Sequence, residues 1–353
     1  MRYKPDFDEM IPRMEAWWHG EVLDRCCIAI SAPNGKAARE VPAPATLYER
    51  WTDHDYLLDA AEARMEATYF AGERVPVFRP NLGPDLFAAL LGGAIEYREG
   101  TSWVAPFLDW DDPPAFEIDT GCFEWQWHEE LYPKAAERAE GAYLLGAPDC
   151  HSGGDCLLAM RGGTDLCLDI YDRPEQLLAT MAKLEAAVEQ FHAAWWPLME
   201  ARGQRGHTTS WLTTWSPGRS NATQLDLLAL ISPQQFEEFF FHELEVQCEA
   251  LDNTIFHLDG PDAIKQLPKL YELENVGAIQ WVYGAGNGPM TKWIDLLKEI
   301  QSHGKGLHLS CEAGEVETLV RELSSKGLYL STWAEDAAEA DALLKLAAEL
   351  THD

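Results

Sequence analysis

The stretch Phe256-His257-Leu258-Asp259-Gly260-Pro261 ends an apolar run with an imidazole and a carboxylate two residues apart. In an extended strand, residues i and i+2 project from the same face, so His257 and Asp259 point together. Such a pair can ligate a metal, exchange protons with a substrate or hydrogen-bond a ligand. It can equally be a buried histidine satisfied by its neighbour. Leu309-Ser310-Cys311-Glu312 closes a second run. There Cys311 is a candidate thiolate or a small core residue, and Glu312 a candidate acid. Asp149-Cys150-His151-Ser152-Gly153-Gly154-Asp155 follows a third run. It offers His151 as a catalytic candidate and Asp155 as a substrate contact or a helix N-cap. Its two glycines would let a ligand approach the backbone closely.

Aromatic residues supply the second kind of chemistry. The chain has 14 tryptophans. Trp211, Trp215, Trp281 and Trp333 fall at or near strand ends, with Asn81 at another. An aromatic mouth suits a flat or cationic ligand, each contact giving roughly 0.5–2 kcal/mol. The alternative is that they fill space. No GxSxG, HExxH or phosphate-loop pattern occurs in the sequence.

These residues need elements to position them. Helical periodicity falls at 8–18 and 53–70, and a short apolar strand at 27–30. From residue 75 apolar runs and helical stretches alternate. Runs at 75–78, 142–146 and 206–214 are joined by helices at 84–91, 155–160 and 174–196, and a long helix covers 232–251. Strands at 254–258, 278–282, 306–310 and 328–332 then precede helices at 262–273, 289–303, 314–323 and 336–350. Repeated βα units imply parallel strands with helical crossovers. The expectation is an α/β fold, a (β/α)8 TIM-type barrel over residues 1–353. Residues 1–73 would form an irregular helical and extended segment packed on it. In such barrels chemistry sits at the C-terminal ends of the strands, which is where the candidates above lie.

Composition narrows the function. Lys and Arg number 27 against 59 Asp and Glu, a formal charge of −32. That surface repels phosphate backbones and anionic lipid, which argues against nucleic-acid and membrane-surface roles. It would also repel a polyanionic substrate unless basic residues cluster locally. No apolar run reaches the roughly 18 residues of a membrane span. The start of the sequence lacks a signal-peptide core, so a cytoplasmic protein is expected. Eight cysteines without paired spacing in a long chain read as mostly reduced core residues. A homodimer is the general expectation for a soluble enzyme.

Longer motifs add a resemblance. Leu230-Ile231-Ser232-Pro233-Gln234-Gln235-Phe236-Glu237-Glu238-Phe239, followed by Phe256-His257-Leu258-Asp259-Gly260-Pro261, resembles the uroporphyrinogen decarboxylase superfamily. Arg161-Gly162-Gly163-Thr164-Asp165-Leu166, Asp172-Arg173-Pro174-Glu175, Ile279-Gln280-Trp281 and Gly304-Lys305-Gly306 fit as well. The resemblance runs from about residue 75 onward and implies a (β/α)8 barrel with its site in the mouth. Ala32-Pro33-Asn34-Gly35-Lys36 lacks the arginine-rich pattern with which the tetrapyrrole branch grips carboxylates. The remaining large branch implies a methyltransferase that moves a methyl group between a small substrate and a corrinoid-binding partner protein or a thiol. That branch holds zinc on a His-x-Cys and a later Cys. Here His257 matches, Asp259 stands in the first Cys position, and residues 332–333 supply no second sulfur. A conditional zinc set is then His257, Asp259 and Cys311. The alternatives are a metal-free decarboxylase or lyase using His257 and Asp259, and a non-catalytic small-molecule-binding relative.

Overall fold

The computed structural model describes residues 1–200 and 204–353. Its strands in chain order are β1 (Cys27–Pro33), β2 (Thr68–Gly72), β3 (Val77–Phe78), β4 (Ile95–Tyr97), β5 (Ser102–Val104) and β6 (Leu144–Leu145). Then come β7 (His207–Thr208), β8 (Trp215–Ser216), β9 (Ser220–Gln224), β10 (Asn253–Asp259), β11 (Val276–Val282), β12 (Gly306–Ser310) and β13 (Leu328–Trp333). Helices connect them, so the fold is α/β with a central, largely parallel sheet.

The main sheet has seven strands in the order β2-β1-β13-β12-β11-β10-β9. Every pair is parallel except β1–β2. The strands β3 and β6 pair only with each other. The ladders therefore do not close the expected eight-stranded ring among the described residues. The reason is local. Pro76 and Pro80 bracket β3 and Pro148 follows β6 closely, and proline has no N–H to give a ladder. The first strand also differs from expectation. Cys27–Pro33 lies within the main sheet, paired to both β2 and β13, rather than in a segment packed on it.

Alternation along the strands divides the molecule into two layers. Phe256 and Leu258, Ile279 and Trp281, Leu307 and Leu309, and Leu328 and Leu330 face the helices in one large core. The intervening positions Cys27, Ala29, Ile255, Ala278 and Tyr329 face inward. Phe7, Met10, Met14 and Trp17 of α1 (Phe7–Trp18) cover them. Trp17 Nε1 donates to Gly327 O at 2.9 Å, just before β13, and Trp18 Nε1 to Trp215 O at 2.9 Å. Helix α1 thus covers the N-terminal ends of the strands and leaves their C-terminal ends open.

Further along the same inward face, parallel register aligns one residue per strand. The row is Gln224, His257, Gln280, His308, Tyr329 and Cys27. Polar groups in this row have few apolar alternatives to contact, so they determine the chemistry of the interior.

Candidate functional site

His257 is held at one ring nitrogen. Its Nδ1 lies 2.6 Å from Gln280 Oε1. With the amide oxygen facing it, Nδ1 carries the hydrogen and Nε2 is the free end of the ring. Nε2 lies 4.0 Å from Asp226 Oδ1, beyond hydrogen-bond distance. Trp211 stands edge-on to the imidazole, ring centroids 5.5 Å apart at 89°. Asp259 shares the face of His257, as the alternation requires, but is exposed and makes no hydrogen bond or ion pair with it.

Beyond Trp211 lies a cavity of about 620 Å³. It is bounded by α2 (Leu47–Thr52), α3 (His54–Glu66), the end of β3 and the loop carrying Trp211 and Thr213. Asn81 lines it, as the sequence suggests. So do Arg50, Arg64 and Arg79, three cations at one opening of a strongly acidic chain. Glu99 is there too, 3.2 Å from Arg50 Nη1. Arg79 has no ion-pair partner among the described residues, and its Nη1 is buried with nothing to donate to. Burial lowers its pKa, and Asp149 partly offsets that.

Below the cavity another arginine, Arg74, faces a polar interior. Arg74 Nη2 donates to Ser331 Oγ at 2.6 Å and Nη1 to Thr213 Oγ1 at 3.4 Å, while Nε has no partner. Burial lowers its pKa as well. Nearby His308 stacks on Tyr329, centroids 4.7 Å apart at 16°. Both His308 ring nitrogens and the Tyr329 hydroxyl are buried without partners. Burial, then Arg74, pushes the His308 pKa down to about 3, so this imidazole is neutral. An unpartnered buried polar group costs roughly 1–3 kcal/mol, so water or a ligand is needed to serve these atoms.

Other sequence candidates take different places. Trp281 has the parity of the outer layer and packs on Trp293 at 5.0 Å. Trp215 is buried against Phe7 of α1, at the covered end of the sheet. Trp333 is exposed at the end of β13 and does not line the cavity. Glu312 is exposed and forms a capping box with Glu315. Cys311 belongs to the helix-facing core, where burial pushes its thiol up to about 12, against a thiolate. His151 is half-buried, its two nitrogens each 3.9 Å from a carboxylate, Asp85 and Asp149. Among the described residues no three His, Cys, Asp or Glu side chains gather as a metal site. The set His257, Asp259 and Cys311 does not fit zinc, because Cys311 and His257 face opposite sides of the sheet.

Asp155 positions the site rather than lining it. Its buried carboxylate accepts from the backbone N–H of Asp226 and Leu227 at 2.9 and 3.3 Å. It thereby fixes the turn that brings Asp226 opposite His257. Burial, then Asp226, pushes the Asp155 pKa up to about 6. The glycine pair before it admits a side chain, not a ligand. A Cβ on Gly153, at φ +53°, would sit 1.8 Å from the Glu243 carboxyl carbon.

Glu243 is itself buried and accepts from Gln247 Nε2 at 2.6 Å. Burial, reinforced by Asp155, pushes its pKa up to about 8. A carboxyl raised in the folded state contributes stability below its unfolded value, and that contribution is lost as pH rises through about 8. Glu243→Gln is therefore expected to gain on the parent protein by on the order of 2–4 kcal/mol between pH 5.5 and pH 9. Urea unfolding at the two pH values measures this, and parallel pH dependence in both proteins would contradict it.

No known family model and no curated protein matches the sequence. The solved structures do match. The chain shares the fold of a methyltransferase from Methanosarcina mazei. Identity to that methyltransferase is 14%, with 96% of this chain and 97% of that chain covered at a TM-score of 0.63. A likeness at that identity extends the shared fold along nearly the whole chain. No helix among the described residues is long and apolar enough to cross a membrane.

Proposed function

We propose that this chain is a methyltransferase of the uroporphyrinogen decarboxylase-like barrel type, working without zinc. In this reading a small methylated donor is anchored in the cavity beside Trp211 and extends past that indole, so that its methylated heteroatom meets His257 Nε2. The methyl acceptor is a corrinoid carried by a separate protein, or a thiol. The observation that carries the reading is His257, fixed at Nδ1 and free at Nε2, at a strand end separated from the cavity by one indole. The fold shared with the Methanosarcina mazei methyltransferase supports the same class.

The chemistry is a displacement at carbon. The acceptor, a reduced corrinoid or a thiolate whose proton has gone to solvent, attacks the methyl carbon, the bond from methyl to the donor's heteroatom breaks, and the electron pair goes to that heteroatom. Protonated His257 gives the Nε2 proton to the departing atom and regains one from solvent. Gln280 holds the ring so that this nitrogen stays free. Trp211 and the cavity wall keep the donor in line, which converts binding into reduced entropy of activation.

A second reading has its own support. The arginines suit a carboxylated substrate, and a metal-free decarboxylase would use His257 to protonate the carbon that loses carbon dioxide. Mass analysis of products from methylated carboxylates separates the two. Loss of a methyl group with the carboxylate intact is the expected result. Release of carbon dioxide with the methyl retained would replace the first reading by the second.

A further inference from the structure

The cavity is lined by a half-buried arginine that makes no ion pair among the described residues. Arg79 reaches it from the end of β3, Nη1 buried and unpartnered. A charge of that kind is costly unless something satisfies it. The rest of the lining bears on what that something is. Trp51, Tyr56 and Trp211 present aromatic surface, and a flat ring stacks on such surface at little entropic cost. The nearby negative groups, Glu99 in the lining and Asp149 close enough to Arg79 to act on its charge, disfavour a multiply charged ligand.

We infer that the cavity binds a flat organic monocarboxylate, its carboxylate on the Arg79 guanidinium and its ring among Trp51, Tyr56 and Trp211. A guanidinium presents two parallel N–H donors that match the two oxygens of a carboxylate. The inference deepens the proposed function and rests on its placing the substrate in this cavity, but it concerns binding, which is measurable without turnover.

The test is titration calorimetry on the full chain with benzoate, benzamide and inorganic phosphate. Benzoate is expected to bind at least tenfold tighter than benzamide. Arg79→Gln is expected to abolish that preference, and Arg79→Lys to keep part of it. The melting temperature of ligand-free Arg79→Gln is expected to equal or exceed that of the parent, because a half-buried charge without an ion-pair partner has been removed. A fall in melting temperature for both variants would assign Arg79 a structural role and overturn the inference. Equal affinity for benzoate and benzamide, or tighter binding of phosphate than of benzoate, would overturn it too. Carboxylate binding without methyl transfer would sink the proposed function and leave this inference standing.

Discussion

His257→Ala is expected to lower the turnover of methyl transfer by about a hundredfold to ten-thousandfold, the usual contribution of a positioned acid or base. Donor affinity should change little, because the cavity and its arginines lie beyond Trp211 and do not include His257. The melting temperature should stay near that of the parent, since the ring is half-buried and makes one side-chain hydrogen bond. Gln280→Ala should act in the same direction with a smaller effect. It frees the ring to rotate but leaves the imidazole in place. Steady-state kinetics on both variants, reading kcat apart from KM, check this. Unchanged kcat in His257→Ala would remove His257 from the reaction.

The largest expected loss of stability comes from Glu73. Its carboxylate is fully buried and accepts from Arg25 Nη1 at 2.7 Å and Nη2 at 2.9 Å. It also accepts from the backbone N–H of Ile28 at 2.8 Å and from Arg13 Nη1 at 3.3 Å. Glu73→Ala would strand the nearly buried Arg25 guanidinium and orphan a strand N–H. The expected cost is about 3–5 kcal/mol in urea unfolding. Arg25→Met combined with Glu73→Leu should recover much of that, because a buried ion pair replaced by apolar groups is often neutral. The turn at Gly72 and Glu73 also aims the next residue. Arg74 reaches Ser331 from there. A loss under about 1 kcal/mol would show that water already serves Arg25.

The sequence was legible where polar and apolar residues alternate over long strands. The βα units after residue 253 stand where their periodicity puts them, from Asn253–Asp259 to Leu328–Trp333. His257 fell on the inward face for the same reason. Parity along the strand accounts for the place of Trp281. Trp281 has the more conspicuous side chain, but its neighbour Gln280 has the inward parity of His257. His308 shares that parity and was legible as the one ionisable residue inside Gly306–Ser310. Arg79 was legible too, as a charge ending an apolar run. The strand Ser220–Gln224 was not, because Ser-Asn-Ala-Thr-Gln has no apolar alternation, and the run at 206–214 became the first arm and turn of a hairpin instead. The long helix expected at 232–251 breaks at Phe240, where φ is −128°, into Pro233–Phe239 and Phe241–Glu249. Nothing in the local sequence marks that break. The cavity is assembled by helices from residues 47–66 and a loop near 211, and contacts at that separation leave no periodic trace.

The central claim is methyl transfer, and cobalt spectroscopy tests it most directly. The full chain is mixed with cob(I)alamin, or with a corrinoid protein reduced to the same state, and methoxy- and methylamino-benzoates are added in turn. The expected result is conversion of the cob(I)alamin absorbance to that of methylcobalamin with at least one donor, slowed at least a hundredfold in His257→Ala. No methylcobalamin from any donor with either acceptor, while the same donors bind the protein, would contradict the account.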